Sequence, residues 1–99
     1  GAIEALNAAG YNVGKEGVLV YGIDGLYAGC TAIKEGLIQA SALQSSDAYA
    51  EAAVERMDKL MSGEMAATDY EDLTFEAEYI DSTNVDEYIA KYEELGLAQ

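Results

Sequence analysis

The sequence predicts an α/β fold built on a βαβ unit with a parallel sheet, and three observations carry that prediction. Residues 18–23 (Val-Leu-Val-Tyr-Gly-Ile) form an unbroken apolar run of strand length, rich in β-branched residues. From Leu26 the period changes, with Leu26, Cys30, Ile33 and Leu37 spaced as on one helix face. Residues 38–43 (Ile-Gln-Ala-Ser-Ala-Leu) then read as a second, shorter strand. Strand, helix and strand this close together require parallel strands with a helical crossover. An apolar run without alternation is the pattern of a strand covered on both faces.

The remaining elements follow in order. Ile3, Leu6 and Ala9 mark a helix over residues 2–9, and Gly10 suits the left-handed position that closes it. Gly36 ends the crossover helix. Ser45, Ser46 and Asp47 offer N-cap chemistry for a helix reaching about Met61, with Gly63 after it. Its apolar stripe holds Tyr49, Val54, Met57, Leu60 and Met61. Residues 73–79 alternate strictly, so Leu73, Phe75, Ala77 and Tyr79 are expected to face a core. The intervening Thr74, Glu76 and Glu78 would face water near a sheet edge. Asn84 is placed to cap a last helix, with Val85, Ile89 and Tyr92 as its stripe and Asp86 and Glu87 in its first turn.

Composition narrows the chemistry. Nineteen acidic residues against five basic give a net charge of −14 over 99 residues, which excludes a nucleic-acid partner held by counterion release. A hydrophobic fraction of 51% is too high for a disordered acidic tail, yet no apolar run is long enough to span a bilayer. One cysteine excludes a disulfide framework, and the absence of histidine excludes His-ligated metals, Ser–His–Asp triads and Cys–His pairs. Glycine-rich phosphate-binding motifs and calcium loops are absent, so no cofactor or metal is implied. Cys30, on the apolar side of its helix, reads as a small core residue.

Ligands of open parallel sheets bind beyond the carboxyl ends of the strands. The first strand is followed by Asp24 and Gly25, the second by Gln44. A carboxylate accepts hydrogen bonds while an amide both donates and accepts, so the pair suits a neutral polyhydroxylated ligand, and Gly25 would let backbone approach it. The same residues also admit a plainer reading, with Asp24 capping the following helix and Gln44 a loop residue.

Tyr21-Gly22-Ile23-Asp24-Gly25, Ala32-Ile33-Lys34-Glu35-Gly36 and Gln44, in that order and spacing, resemble the type I periplasmic sugar-binding proteins of ABC importers, the ribose- and galactose-binding-like class. Gly1-Ala2-Ile3-Glu4-Ala5-Leu6, Ser62-Gly63-Glu64 and Thr83-Asn84-Val85-Asp86-Glu87-Tyr88 extend the resemblance over nearly the whole chain. It implies that Asp24 and Gln44 bind sugar hydroxyls from the C-terminal lobe of a two-lobed, extracytoplasmic protein without catalysis, served by a membrane permease. It further implies that this chain is the last third of such a protein. Residues 1–44 and 71–81 would belong to the C-terminal lobe, 45–63 to the hinge crossing and a helix of the other lobe, and 82–99 to a tail helix. Apolar stripes parted from the rest of such a protein would drive self-association. One departure is that the family's Pro two residues after the Gln is replaced by Ser46. Effector domains of sugar-responsive repressors share the implied fold and form an alternative. An α/β enzyme using Asp24 as acid or base is a third.

Overall fold

Backbone register fixes the sheet. In the computed structural model, which describes residues 1–69 and 71–99, β1 (Tyr21–Ile23) pairs in parallel with β2 (Ala40–Leu43), Tyr21 opposite Ala40 and Ile23 opposite Ala42. β2 pairs antiparallel with β3 (Glu78–Asp81), Leu43 opposite Glu78 and Ser41 opposite Ile80. The order is β1-β2-β3. The helices are α1 (Ala2–Ala8), α2 (Tyr27–Lys34), α3 (Ser46–Ser62) and α4 (Val85–Glu94). The chain divides into two compact units, one of residues 1–43 and 78–99, the other of residues 44–77.

The first unit holds the sheet and the core. Because strand side chains alternate between faces, the cross-strand row Gly22, Ser41 and Ile80 lies on one side of the sheet. Ile80 is fully buried there with Cys30 and Ile33 of α2 and Val85 and Ile89 of α4. Tyr27, Ile38, Leu43, Tyr88 and Tyr92 pack around this cluster. The expected stripe of α4 is thus its core face, while of the α2 stripe only Cys30 and Ile33 reach the core: Leu26 is the exposed N-cap residue, and Leu37 lies beyond the helix and outside the cluster. Cys30 is the small core residue its position predicted. Burial pushes the Cys30 thiol above its ordinary pKa. Two contacts tie the helices together at their exposed margins: Lys34 Nζ lies 2.7 Å from Asp86 Oδ1, and Tyr27 Oη donates to Glu93 at 3.1 Å.

Three expectations change. The first strand was expected over residues 18–23 and covered on both faces. It is confined to Tyr21–Ile23, and Tyr21 and Ile23 are exposed on its uncovered face. Before it, residues 12–18 close on themselves, Val18 N donating to the Asn12 carbonyl and Val18 bridging to Val13. Val20 is instead held by Gln39, whose Oε1 accepts from Val20 N at 2.8 Å while its own N–H donates to the Val20 carbonyl at 2.9 Å.

The last strand begins only at Glu78, so residues 71–77 are not part of it. Its inward residue is Ile80 and not Tyr79, which is 60% exposed. A shift of one residue reverses every side chain in a strand. Within the second unit, Phe75 instead meets Tyr49 of α3 edge-on at 4.8 Å, and the Arg56 guanidinium donates to the Glu71 carbonyl. Those contacts hold the alternating segment along α3.

The third change concerns Asn84. It sits at the N-cap position of α4, but its side chain makes no cap hydrogen bond. Its Oδ1 accepts from Asp81 N and its Nδ2 donates to the Tyr79 carbonyl, both at 2.9 Å. Asn84 therefore closes the turn between β3 and α4.

In the second unit, α3 starts at Ser46, and Ser45 Oγ accepts from Ala48 N at 3.3 Å. A serine cap thus does the work at the helix start where the resembling family carries proline close by. Gly63 ends the helix at φ +81°. No residue of α3 is buried, and Val54, Met57 and Met61 of its stripe are exposed. Among the described residues no helix is long and apolar enough to cross a membrane.

Candidate functional site

The turn leaving β1 is formed by Asp24 and Gly25. Asp24 N donates to the Ala42 carbonyl at 2.7 Å, continuing the parallel ladder one residue beyond the strand. At Asp24 itself φ is +75°, the one positive φ outside glycine among the described residues. Aspartate tolerates this left-handed region better than most side chains, but it still costs about 1–2 kcal/mol, the kind of strain that gathers at functional positions. The Asp24 side chain is exposed, and among the described residues nothing hydrogen-bonds its carboxylate.

Asp24 is not the helix cap. The N-cap of α2 is Leu26, with extended backbone and no side-chain cap. The capping role of the plainer reading is therefore not what Asp24 does, while Gln44 lies outside helix and strand as that reading has it.

Gly25 departs from its expected role of admitting a ligand. It is buried at φ +53°, and a Cβ there would lie 2.7 Å from Ile80 Cδ1 and 3.1 Å from Leu43 Cβ. Glycine is needed so that the turn can sit on the core. Both of its backbone polar groups are taken: its N–H donates to Ser41 Oγ at 3.1 Å, and its carbonyl accepts from Tyr92 Oη at 2.9 Å and Cys30 Sγ at 3.3 Å.

Gln44 is the residue after Leu43, where β2 ends, and it opens the second unit as an exposed residue before the Ser45 cap. Asp24 and Gln44 thus each follow one of two strands that run parallel. The structure assigns them to different compact units.

Sequence reasoning missed Ser41 and Tyr92. Ser41 was visible as the single hydroxyl inside a buried apolar strand, a position where a hydroxyl needs a partner. Tyr92 was read as part of a core stripe, which it is, but nothing in a period reveals where its hydroxyl ends.

Elsewhere, a surface groove of about 240 Å³ lies between Glu78, Glu87, Tyr88 and Lys91. Tyr88 Oη donates to Glu78 at 2.6 Å, and this bond to a carboxylate pushes the Tyr88 pKa up to about 12. At the turn before α4, Asp81 accepts from the Thr83 hydroxyl and backbone N–H, which hold its carboxyl below the usual range. Among the described residues no group of three or more His, Cys, Asp or Glu is placed to hold a metal ion.

A partly parallel three-stranded sheet with four helices is the fold of part of a type I periplasmic binding protein. The solved structure of a galactofuranose-binding protein, a type I periplasmic sugar-binding protein, is similar to the chain with a TM-score of 0.77 and 25% identity. The similarity covers 96% of this chain and 31% of that one, so this chain spans about a third of the length of that neighbour. No family model matches the chain, and no curated protein matches it.

Proposed function

We propose that this chain is the C-terminal portion of the solute-binding subunit of an ABC importer, taking a carbohydrate between two lobes without chemical conversion. The observation that carries the reading is the Asp24 turn. An exposed carboxylate is held in a left-handed backbone conformation at the carboxyl edge of a parallel strand, within a fold similar to that of a sugar-binding protein. In this reading Asp24 accepts hydrogen bonds from sugar hydroxyls, and Gln44 both donates and accepts. The unit of residues 1–43 and 78–99 belongs to the C-terminal lobe. The chain crosses toward the other lobe at Gln44 and Ser45 and returns before Glu78.

Sugar binding then favours the closed arrangement of the lobes, which a membrane permease reads. The protein works outside the cytoplasm. Hydrogen bonds to a charged group contribute about 1.5–3 kcal/mol, so Asp24 is the larger contributor of the two and Gln44 the smaller. Calorimetric titration of the longer protein carrying this segment with a panel of furanose and pyranose sugars tests the reading. Saturable binding of one sugar, weakened by Asp24→Ala, supports it. Turnover of the sugar would replace it with an enzyme.

A further inference from the structure

We infer that Tyr92, at the far end of the chain, is a positioning residue for Asp24, holding the 24–25 turn through the Gly25 carbonyl while Ser41 accepts from the Gly25 N–H. The inference rests on the reading of Asp24 as a sugar contact.

The physical case begins with strain. Asp24 sits at φ +75° and Gly25 at φ +53°, two successive residues in the left-handed region. A glycine prefers neither hand, so Gly25 adds nothing to hold Asp24 in place. Left to itself, the turn would relax toward extended backbone at Asp24 and swing the carboxylate away from its present direction. Something outside the turn must oppose that.

The structure shows what does. The Gly25 N–H is anchored to Ser41 Oγ at 3.1 Å, a hydroxyl on the central strand that is 3% exposed. The Gly25 carbonyl is anchored to Tyr92 Oη at 2.9 Å, across 67 residues of chain. Cys30 Sγ supplies a weaker third contact to that carbonyl at 3.3 Å. The Gly25 N–H belongs to the Asp24–Gly25 peptide and the Gly25 carbonyl to the Gly25–Leu26 peptide, so the two anchors hold the successive peptide planes on either side of Gly25 and restrict rotation about its φ and ψ. The first of these planes adjoins Asp24, whose own N–H is bound to the Ala42 carbonyl.

Tyr92 is suited to this task because its ring packs on the core while its hydroxyl reaches out to the turn. Helix α4 thereby does more than cover the sheet. Its body is held to α2 and β3 by Val85 and Ile89, and its last turn delivers a hydroxyl to the ligand-side loop. A tyrosine elsewhere on the same pair of helices provides a control. Tyr27 Oη donates to Glu93 and makes no bond to the turn.

The test is amide hydrogen exchange on the 99-residue chain, joined to sugar titration of the longer protein. In Tyr92→Phe the Asp24 and Gly25 amides are expected to exchange about five-fold faster through local opening, while the ladder amides of β2 and β3 keep their rates. Ser41→Ala, which leaves the Gly25 N–H without its acceptor, does the same more strongly. Tyr27→Phe leaves both amides unchanged. In the longer protein Tyr92→Phe weakens sugar binding about five-fold. Equal acceleration of turn and ladder amides would mean that Tyr92 only stabilises the fold, and would overturn the inference. If the wild type binds sugar and Tyr92→Phe binds it equally well, the sugar-binding reading stands and this inference falls. If the wild type binds no sugar, the proposed function falls, and the exchange pattern alone decides whether Tyr92 holds the turn.

Discussion

Replacing Gly25 by alanine adds one methyl group where the structure has no room for it. The new Cβ would lie 2.7 Å from Ile80 Cδ1 and 3.1 Å from Leu43 Cβ. Ile80 is fully buried and Leu43 is held in the ladder opposite Glu78, so neither can move aside freely. Overpacking of this kind costs about 1–3 kcal/mol. The backbone adds its own penalty, since φ is +53° and a left-handed alanine costs about 1–2 kcal/mol. Against these stands a gain of about 0.4–1 kcal/mol from the lower entropy of the unfolded chain. The net expectation is a loss of about 1–5 kcal/mol. Gly36→Ala separates the contributions, because Gly36 has φ +78° but nothing within 4 Å of the added atom. It should lose only about 1 kcal/mol, the backbone part. Urea titrations followed by circular dichroism measure both variants, and their difference reports the steric overlap alone. If Gly25→Ala is no more destabilising than Gly36→Ala, the turn does not sit on the core as described.

Asp24→Gly should keep or raise stability, by up to about 1 kcal/mol from relieved backbone strain, while sugar binding by the longer protein weakens; a clear loss of stability would show that Asp24 is not strained. The Tyr88–Glu78 bond contributes stability that is fully present below about pH 10, the unfolded value, and is lost as pH rises through the folded value of about 12. The urea midpoint of the wild type should therefore fall relative to that of Tyr88→Phe across that window, and parallel curves would count against the bond. The exposed stripe of α3, with Met61 83% and Val54 69% accessible, should make the chain self-associate at micromolar concentration. Light scattering showing a monomer would contradict this.

Much of the fold was legible because its signals are local. The spacing of Cys30 and Ile33 marked α2, that of Val85, Ile89 and Tyr92 marked α4, and strand-like segments on either side of α2 implied the parallel pair that β1 and β2 form. Leu26 was expected in the same stripe as Cys30 and Ile33 and is instead the exposed N-cap residue. Gly36 and Gly63 marked helix ends where the backbone turns left-handed. What failed depended on partners that periodicity cannot see. Residues 73–79 have a strand's alternation, but only Glu78 and Tyr79 found a ladder, and Phe75 was claimed by Tyr49. Asn84 looks like a cap, yet its amide is spent on Asp81 and Tyr79. At the candidate site, Asp24 could be found from its place after an apolar run. Its left-handed backbone, the buried role of Gly25 and the grip of Ser41 and Tyr92 could not, since each depends on contacts between residues far apart in the chain.

The carbohydrate reading stands or falls on a calorimetric comparison of the longer wild-type protein with its Asp24→Ala variant, using one sugar that the wild type binds. Loss of a charge-assisted hydrogen bond predicts binding weakened by roughly 10- to 150-fold with the fold intact by circular dichroism. Unchanged affinity in a folded Asp24→Ala protein would remove the strained carboxylate from the site and contradict the account.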